Sequence, residues 1–195
     1  MRVLAGALKG RRIATPRGST TRPTADQVRI ALMDTLTPRL PGARLLDLFA
    51  GAGGVGLEAL SRGAAHVTFV ERDTRAVGAL RVNVETLGVA AQARVERADV
   101  RVALERLARE AARFDIVFLD PPYEDDAVTS TLERLGLLAL VVPDGVVIAQ
   151  HLTKRPPPPE SGRLSAFRAR RFGETTLTFF RAGSYDSPSQ RTGLT

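Results

Sequence analysis

The stretch Leu45-Leu46-Asp47-Leu48-Phe49-Ala50-Gly51-Ala52-Gly53-Gly54-Val55-Gly56 constrains the fold more than any other part of this sequence. An apolar run that reads as a buried strand passes through a glycine-rich turn into a helix. Glycine lets the backbone approach a ligand where a Cβ would collide, and a helix N-terminus offers unpaired N–H groups. Gly51, Gly53 and Gly56 also match the G-x-G-x-x-G spacing of dinucleotide sites, and a plain structural turn can carry the same spacing.

Around that turn the chain alternates. Strands are expected at Arg44–Leu48, His66–Glu71, Ala93–Arg97, Asp115–Leu119 and Gly145–Gln150, with helices at Val55–Arg62, Thr74–Leu87, Arg101–Ala111 and Ala127–Leu138. The run Ile116-Val117-Phe118-Leu119 is apolar at every position, as in a parallel sheet covered on both faces. The pattern is that of an α/β, Rossmann-like, doubly wound fold. Arg163–Phe172 and Thr175–Arg181 read as an antiparallel C-terminal hairpin, completing a mostly parallel sheet of seven strands. Four prolines, Pro156–Pro159, form a stiff extended connection before it. At the other end, Arg2–Ala5 and Arg11–Thr15 suggest a small β-hairpin, followed by a helix from Ala25 to Leu36. The expected organisation is a basic hairpin and helix over 1–42, a main domain over 43–182 and a polar tail over 183–195.

Charge separates the parts. Residues 1–44 hold nine basic side chains against two acidic ones, while the other 151 residues hold 19 of each, so the net +7 belongs to the N-terminal end. Such an asymmetry fits a polyanionic partner, although arginine outnumbers lysine 26 to 2 throughout and an arginine-rich composition contributes. Cysteine is absent, and the two histidines, His66 and His151, stand far apart, so no disulfide framework and no metal site are expected. No apolar run suggests a signal peptide or membrane helix, which points to a cytoplasmic protein without membrane attachment.

Two carboxylates extend the glycine loop into a site. Glu71 ends the second strand, twenty residues after Gly51, where it can accept ribose hydroxyls of a nicotinamide or an adenosyl cofactor. Asp99 follows the third strand and can receive an adenine amino group. The deciding segment is Asp120-Pro121-Pro122-Tyr123, placed after the fourth strand, where doubly wound folds bind ligands. Consecutive prolines lack N–H groups, so carbonyls and the Asp120 carboxylate dominate what the loop presents. Such acceptors suit an –NH₂ group, and Tyr123 offers a ring for a base to stack on.

Asp47-Leu-Phe-Ala-Gly-x-Gly, with Glu71, Asp99 and Asp120-Pro-Pro-Tyr, resembles the class I methyltransferases that modify amino nitrogens of bases. More closely the sequence resembles the RsmD family, which methylates a guanine N2 of 16S rRNA. The opening Arg2-Val-Leu-Ala-Gly-x-x-Lys9-Gly10-Arg11, the segment Arg22-Pro23-Thr24-x-Asp26-x-Val28-Arg29 and the late Gly173-Glu174-Thr175-x-Leu177 carry that likeness, which covers about residues 2–181. It departs from the family pattern at Met33-Asp34, at Gln150, and at Ala52 and Gly54 in the glycine loop.

The resemblance implies S-adenosyl-L-methionine as cofactor, held by Asp47, Phe49, Gly51, Gly53, Glu71, Asp99 and Thr24. It implies Asp120, Pro121, Pro122 and Tyr123 as the catalytic loop. Arg2, Lys9, Arg11, Arg12, Arg22 and Arg29 would hold the RNA of 16S rRNA or an assembled small subunit, with Thr24 and Arg29 also placed to close over cofactor or substrate. The enzyme is expected to act as a monomer. A DNA adenine or cytosine amino methyltransferase would share the catalytic residues but needs a target-recognition region for which little chain remains. A nicotinamide oxidoreductase has only the glycine spacing in its favour, and a non-catalytic RNA-binding protein would have no use for Glu71 and Asp120.

Overall fold

The computed structural model describes residues 1–15, 23–122 and 126–184, with side chains in 23–25 left aside. Tyr123, Arg22 and the side chain of Thr24 therefore lie outside the described residues. Helix α1 spans Pro23–Leu36 and leads through a 3-10 turn at Thr37–Arg39 to β1, Arg44–Leu48. The alternation continues with α2 (Gly54–Ser61), β2 (His66–Glu71), α3 (Thr74–Leu87), β3 (Ala93–Arg97), α4 (Val100–Arg109), β4 (Phe114–Leu119), α5 (Ala127–Leu137) and β5 (Val141–Leu152). Three strands close the chain: β6 (Glu160–Ser161), β7 (Leu164–Phe172) and β8 (Thr175–Ala182).

All eight strands join one sheet in the order β3-β2-β1-β4-β5-β8-β7-β6. The first five run parallel, β8 runs against β5, and β7 runs against β8. The sequence reading gave seven strands; the eighth, β6, has two residues that pair with Leu164 and Ser165 across the turn at Gly162. A segment this short carries no periodicity. It abuts α5 at Gly136, where a Cβ would lie 2.0 Å from the Ser161 carbonyl oxygen.

The apolar strands follow from two covered faces. Leu45, Ile116, Ile148 and Phe179 point to one side with α1, α2 and α3, while Leu46, Val117, Val147 and Phe180 point to the other with α4 and α5. Gly56 brings α2 close to β2: a Cβ there would sit 2.2 Å from Phe69 Cε1.

Residues 1–15 form the expected hairpin-like turn, with Val3 N–H donating to the Arg11 carbonyl at 3.0 Å and Gly10 N–H to that of Val3 at 2.9 Å. Val3 and Ile13 enter the same apolar cluster as α1 and the sheet. Three polar groups anchor the turn. Buried Glu58 accepts from Leu4 N–H at 2.7 Å and Ala5 N–H at 3.0 Å, and Ser61 Oγ accepts from Leu8 N–H at 2.9 Å. Asn83 accepts from Ala14 N–H at 2.7 Å and donates to the carbonyls of Ala14 at 2.9 Å and Ala52 at 3.0 Å. A single α3 side chain thus ties the N-terminal segment to the glycine loop.

Candidate active site

The carboxyl ends of β1, β2 and β4 face the same opening, because these strands are adjacent and in parallel register. The chain leaves β1 through Phe49, whose φ of 60° is left-handed. For a side chain of that size the conformation costs about 1–3 kcal/mol, and such strain clusters at ligand sites. Gly51 (φ 55°) and Gly53 (φ 88°) continue the turn without that cost and deliver the chain to the N-terminus of α2.

Three depressions meet around Phe49. The first, about 410 Å³, is lined by Met1, Asp26, Arg29, Asp47, Asp120 and Gln150 among others. Beside it, about 320 Å³ is bounded by Phe49, Glu71, Arg72, Asp120, Pro121 and Pro122. The third, about 380 Å³, holds Asp99 and Arg101 and again Phe49, Arg72 and Pro122. Their shared walls make one trough across the ends of the strands, with Asp120 between the first two.

Asp47 is buried and accepts from Gly56 N–H at 2.9 Å, so it braces the first turn of α2. Burial, opposed by that hydrogen bond and helped by the charges of Asp120 and Glu71, pushes its pKa up to about 7. Burial pushes Asp120 up to about 7 as well. Among the described residues neither carboxyl has a cation within ion-pair distance. Glu71 accepts from Gly51 N–H and Asp73 N–H, each at 2.8 Å, which fixes its carboxylate against the glycine loop. Asp99 caps α4, accepting from Arg101 N–H at 2.9 Å. Pro121 is buried and Pro122 exposed.

The basic residues divide into two groups. Arg2, Lys9, Arg11 and Arg12 are exposed on the N-terminal turn, with Arg2 donating to the Gly10 carbonyl at 2.8 Å and Arg11 to that of Thr86 at 2.7 Å. Arg29, grouped with them from sequence, stands apart. It is 6% exposed and lines the first depression, with Nη2 donating to Asp26 at 3.0 Å and to the Arg2 carbonyl at 3.1 Å. Its Nε and Nη1 have no hydrogen-bond partner among the described residues. Sequence reasoning did not place Asp26, Arg72, Asn83 or Gln150 at the site. Gln150 alone had a usable signal, since it stands near the carboxyl end of an apolar strand.

Among the described residues the trough offers two carboxyls lacking a cation and one buried guanidinium, paired with Asp26 through Nη2, whose Nε and Nη1 lack an acceptor. A ligand bearing both charges satisfies all three. The amino-acid end of an adenosyl-sulfonium cofactor has that character, with a sulfonium and an ammonium beside a carboxylate. The residues therefore fit such a group.

A sheet of this order, with an antiparallel strand set against β5, is the Rossmann-like fold of methyltransferases. The family model described as "Conserved hypothetical protein 95" matches residues 1–181, and the chain belongs to that family, the RsmD family of methyltransferases. YlbH of Bacillus subtilis is 36% identical over 181 residues, 93% of this chain and 98% of that one. Ribosomal RNA small subunit methyltransferase D of Escherichia coli K12 is 38% identical over 135 residues, 69% of this chain and 66% of that one. The solved structure of yhhF from Escherichia coli superposes with a TM-score of 0.81 at 30% identity, covering 94% of this chain and 98% of that one.

Proposed function

We propose that this chain transfers a methyl group from S-adenosyl-L-methionine to the exocyclic N2 of a guanine in 16S rRNA, in the cytoplasm. The observation that carries the reading is the position of Asp120. Its carboxyl borders both the depression fitted to the charged end of the cofactor and the neighbouring one under Pro121 and Pro122. Support for an rRNA substrate comes from the named relative above and from the exposed cations Arg2, Lys9, Arg11 and Arg12.

When bound, the cofactor supplies an electrophilic methyl carbon on a sulfonium that leaves as a neutral thioether. Arg29 would hold the cofactor's carboxylate, Asp47 its cationic end, and Glu71 its ribose hydroxyls, while Asp99 borders the adenine side. Asp120 and the Pro121 carbonyl accept hydrogen bonds from the target amino group, which pulls its lone pair out of conjugation with the ring. Orienting that nitrogen in line with the methyl carbon supplies much of the acceleration. The nitrogen becomes acidic only as it is alkylated, so Asp120 need not be a strong base. The target base must leave its stack to reach the trough, and Tyr123 would receive its face.

The test is transfer of a tritiated methyl group to 16S rRNA by wild-type and Asp120→Ala protein. Loss of at least about 100-fold in kcat, with cofactor affinity within a few-fold, is expected from a lost acceptor at the reacting atom. Near-normal kcat would overturn the role.

A further inference from the structure

The even balance of charge beyond residue 44 conceals an uneven distribution in space. Arg62, Arg94, Arg106 and Arg134 have carboxylate partners: Glu58, Glu96 and Glu110, Glu96, and Glu105 respectively. These carboxylate partners lie on or beside α2, α4 and β3. On the C-terminal hairpin none of Arg168, Arg170, Arg171 or Arg181 has a carboxylate partner among the described residues. The hairpin's only acidic residue is Glu174, at its tip.

Aromatic rings lie among these cations. Phe167 is 49% exposed, and the Arg181 guanidinium stands over its ring at 5.2 Å. Phe167 also contacts the buried Phe179 ring, 6.3 Å between centroids, so its position is held from beneath. A register shift between Ala166 and Arg168 marks a bulge in β7 at this residue, and bulges re-aim side chains. Arg168 pairs with Phe179, placing it on the same face as Phe179 and Arg181. Arg170 is pinned to α1, donating to the Ala31 carbonyl and Thr35 Oγ1, each at 3.2 Å. Phe172 lies under its guanidinium at 5.6 Å.

The stripe leads to the trough. Gln150, which lines the first depression, pairs with Leu177, and Leu177 pairs with Arg170. Two strand spacings, about 10 Å, therefore separate Arg170 from the trough wall. From there the stripe runs along β7 to Arg168, Phe167 and Arg181, on the far side of α1 from the N-terminal cations.

We infer that the exposed side chains of β7, together with Arg181 of β8, form a second RNA-docking surface, in which Phe167 stacks on an unpaired base and Arg168 and Arg181 hold adjacent phosphates. Unpaired cations around a supported ring match single-stranded RNA, which offers both a π-face and a phosphate at each nucleotide. Duplex RNA buries its base faces and would use only the cations. The inference rests on the reading of rRNA as substrate. It adds a surface distinct from the N-terminal turn, so that RNA would be held on both sides of the trough.

The experiment uses the full chain, a labelled 20-nucleotide single-stranded RNA and the same RNA as a duplex, followed by fluorescence anisotropy across a salt series. Arg168→Gln with Arg181→Gln should weaken single-strand binding about 10-fold and reduce the slope of log K against log salt by about 1.4, two phosphates' worth. Phe167→Leu should weaken single-strand binding at least about 5-fold and leave duplex binding unchanged. Arg168→Lys with Arg181→Lys, which keeps both charges, should retain the salt slope and report that the hairpin is intact. Unchanged affinity and slope in both the glutamine and leucine variants, from a wild type that methylates rRNA, would overturn this inference alone. A wild type that binds neither RNA and methylates none would overturn the substrate reading beneath it as well. A defect seen with assembled subunits but not with naked RNA would assign the stripe to a protein partner and also overturn it.

Discussion

Asp47 and Asp120 face one cavity from the carboxyl ends of adjacent strands, each with its pKa pushed up to about 7 and neither, among the described residues, in an ion pair. In the unfolded chain both carboxyls release their protons near the ordinary value of 3.8. Between that value and about 7 the folded protein therefore binds more protons than the unfolded one, and stability falls as pH rises. The ligand-free protein should melt at a higher temperature at pH 5 than at pH 8, as far as these two groups decide it. Asp47→Asn, whose amide oxygen can still accept from Gly56 N–H, should raise the pH 8 midpoint by roughly 2–4 °C per kcal/mol recovered. A variant that melts lower at pH 8 than wild type would contradict the assigned cause.

The same pair makes cofactor binding pH-dependent. A cation entering the trough favours the ionised carboxyls, so S-adenosylmethionine should bind more tightly as pH rises through 7 and should release protons as it binds. The neutral thioether product should show a shallower dependence. Calorimetry in buffers of different ionisation heat reads the proton count directly; equal, pH-independent binding of both ligands would contradict the account.

Arg29→Leu removes the buried guanidinium whose Nε and Nη1 have no partner among the described residues. Loss of a charge-assisted hydrogen bond of about 1.5–3 kcal/mol predicts roughly 10- to 100-fold weaker cofactor binding. A cofactor analogue lacking the carboxylate should bind wild type and variant alike. If the variant loses affinity for both ligands equally, Arg29 acts through the fold instead.

Gly56→Ala tests the packing that aims the glycine loop, since the new Cβ would lie 2.2 Å from Phe69 Cε1 and 2.8 Å from Val67 Cγ1. Both neighbours are core side chains, so overpacking of about 1–3 kcal/mol is expected in a denaturant titration. A shift below about 0.5 kcal/mol would mean that α2 moves freely on the sheet.

Much of this was legible in the sequence because its signals are local. The run Ile116 to Leu119 and the glycine turn after Asp47 each declare themselves within a dozen residues, and the strand-helix alternation fixes their order. Arg29 was legible as a cation but not as a buried one. Its burial depends on Arg2, Asp26 and Met1 converging from two segments. Glu58 and Asn83 sit in helices with no motif, and their meaning comes only from the N-terminal turn that docks on them. The unpaired arginines of β7 were hidden for the same reason, since a count of charges along the chain does not say which acids pair with which bases.

The most direct test of the central claim is mass spectrometry of nucleosides from small-subunit rRNA in cells with and without this gene. The account predicts loss of one N2-methylguanosine, restored by the wild-type gene but not by one carrying Asp120→Ala. An unchanged nucleoside profile, or full restoration by the Asp120 variant, would contradict it.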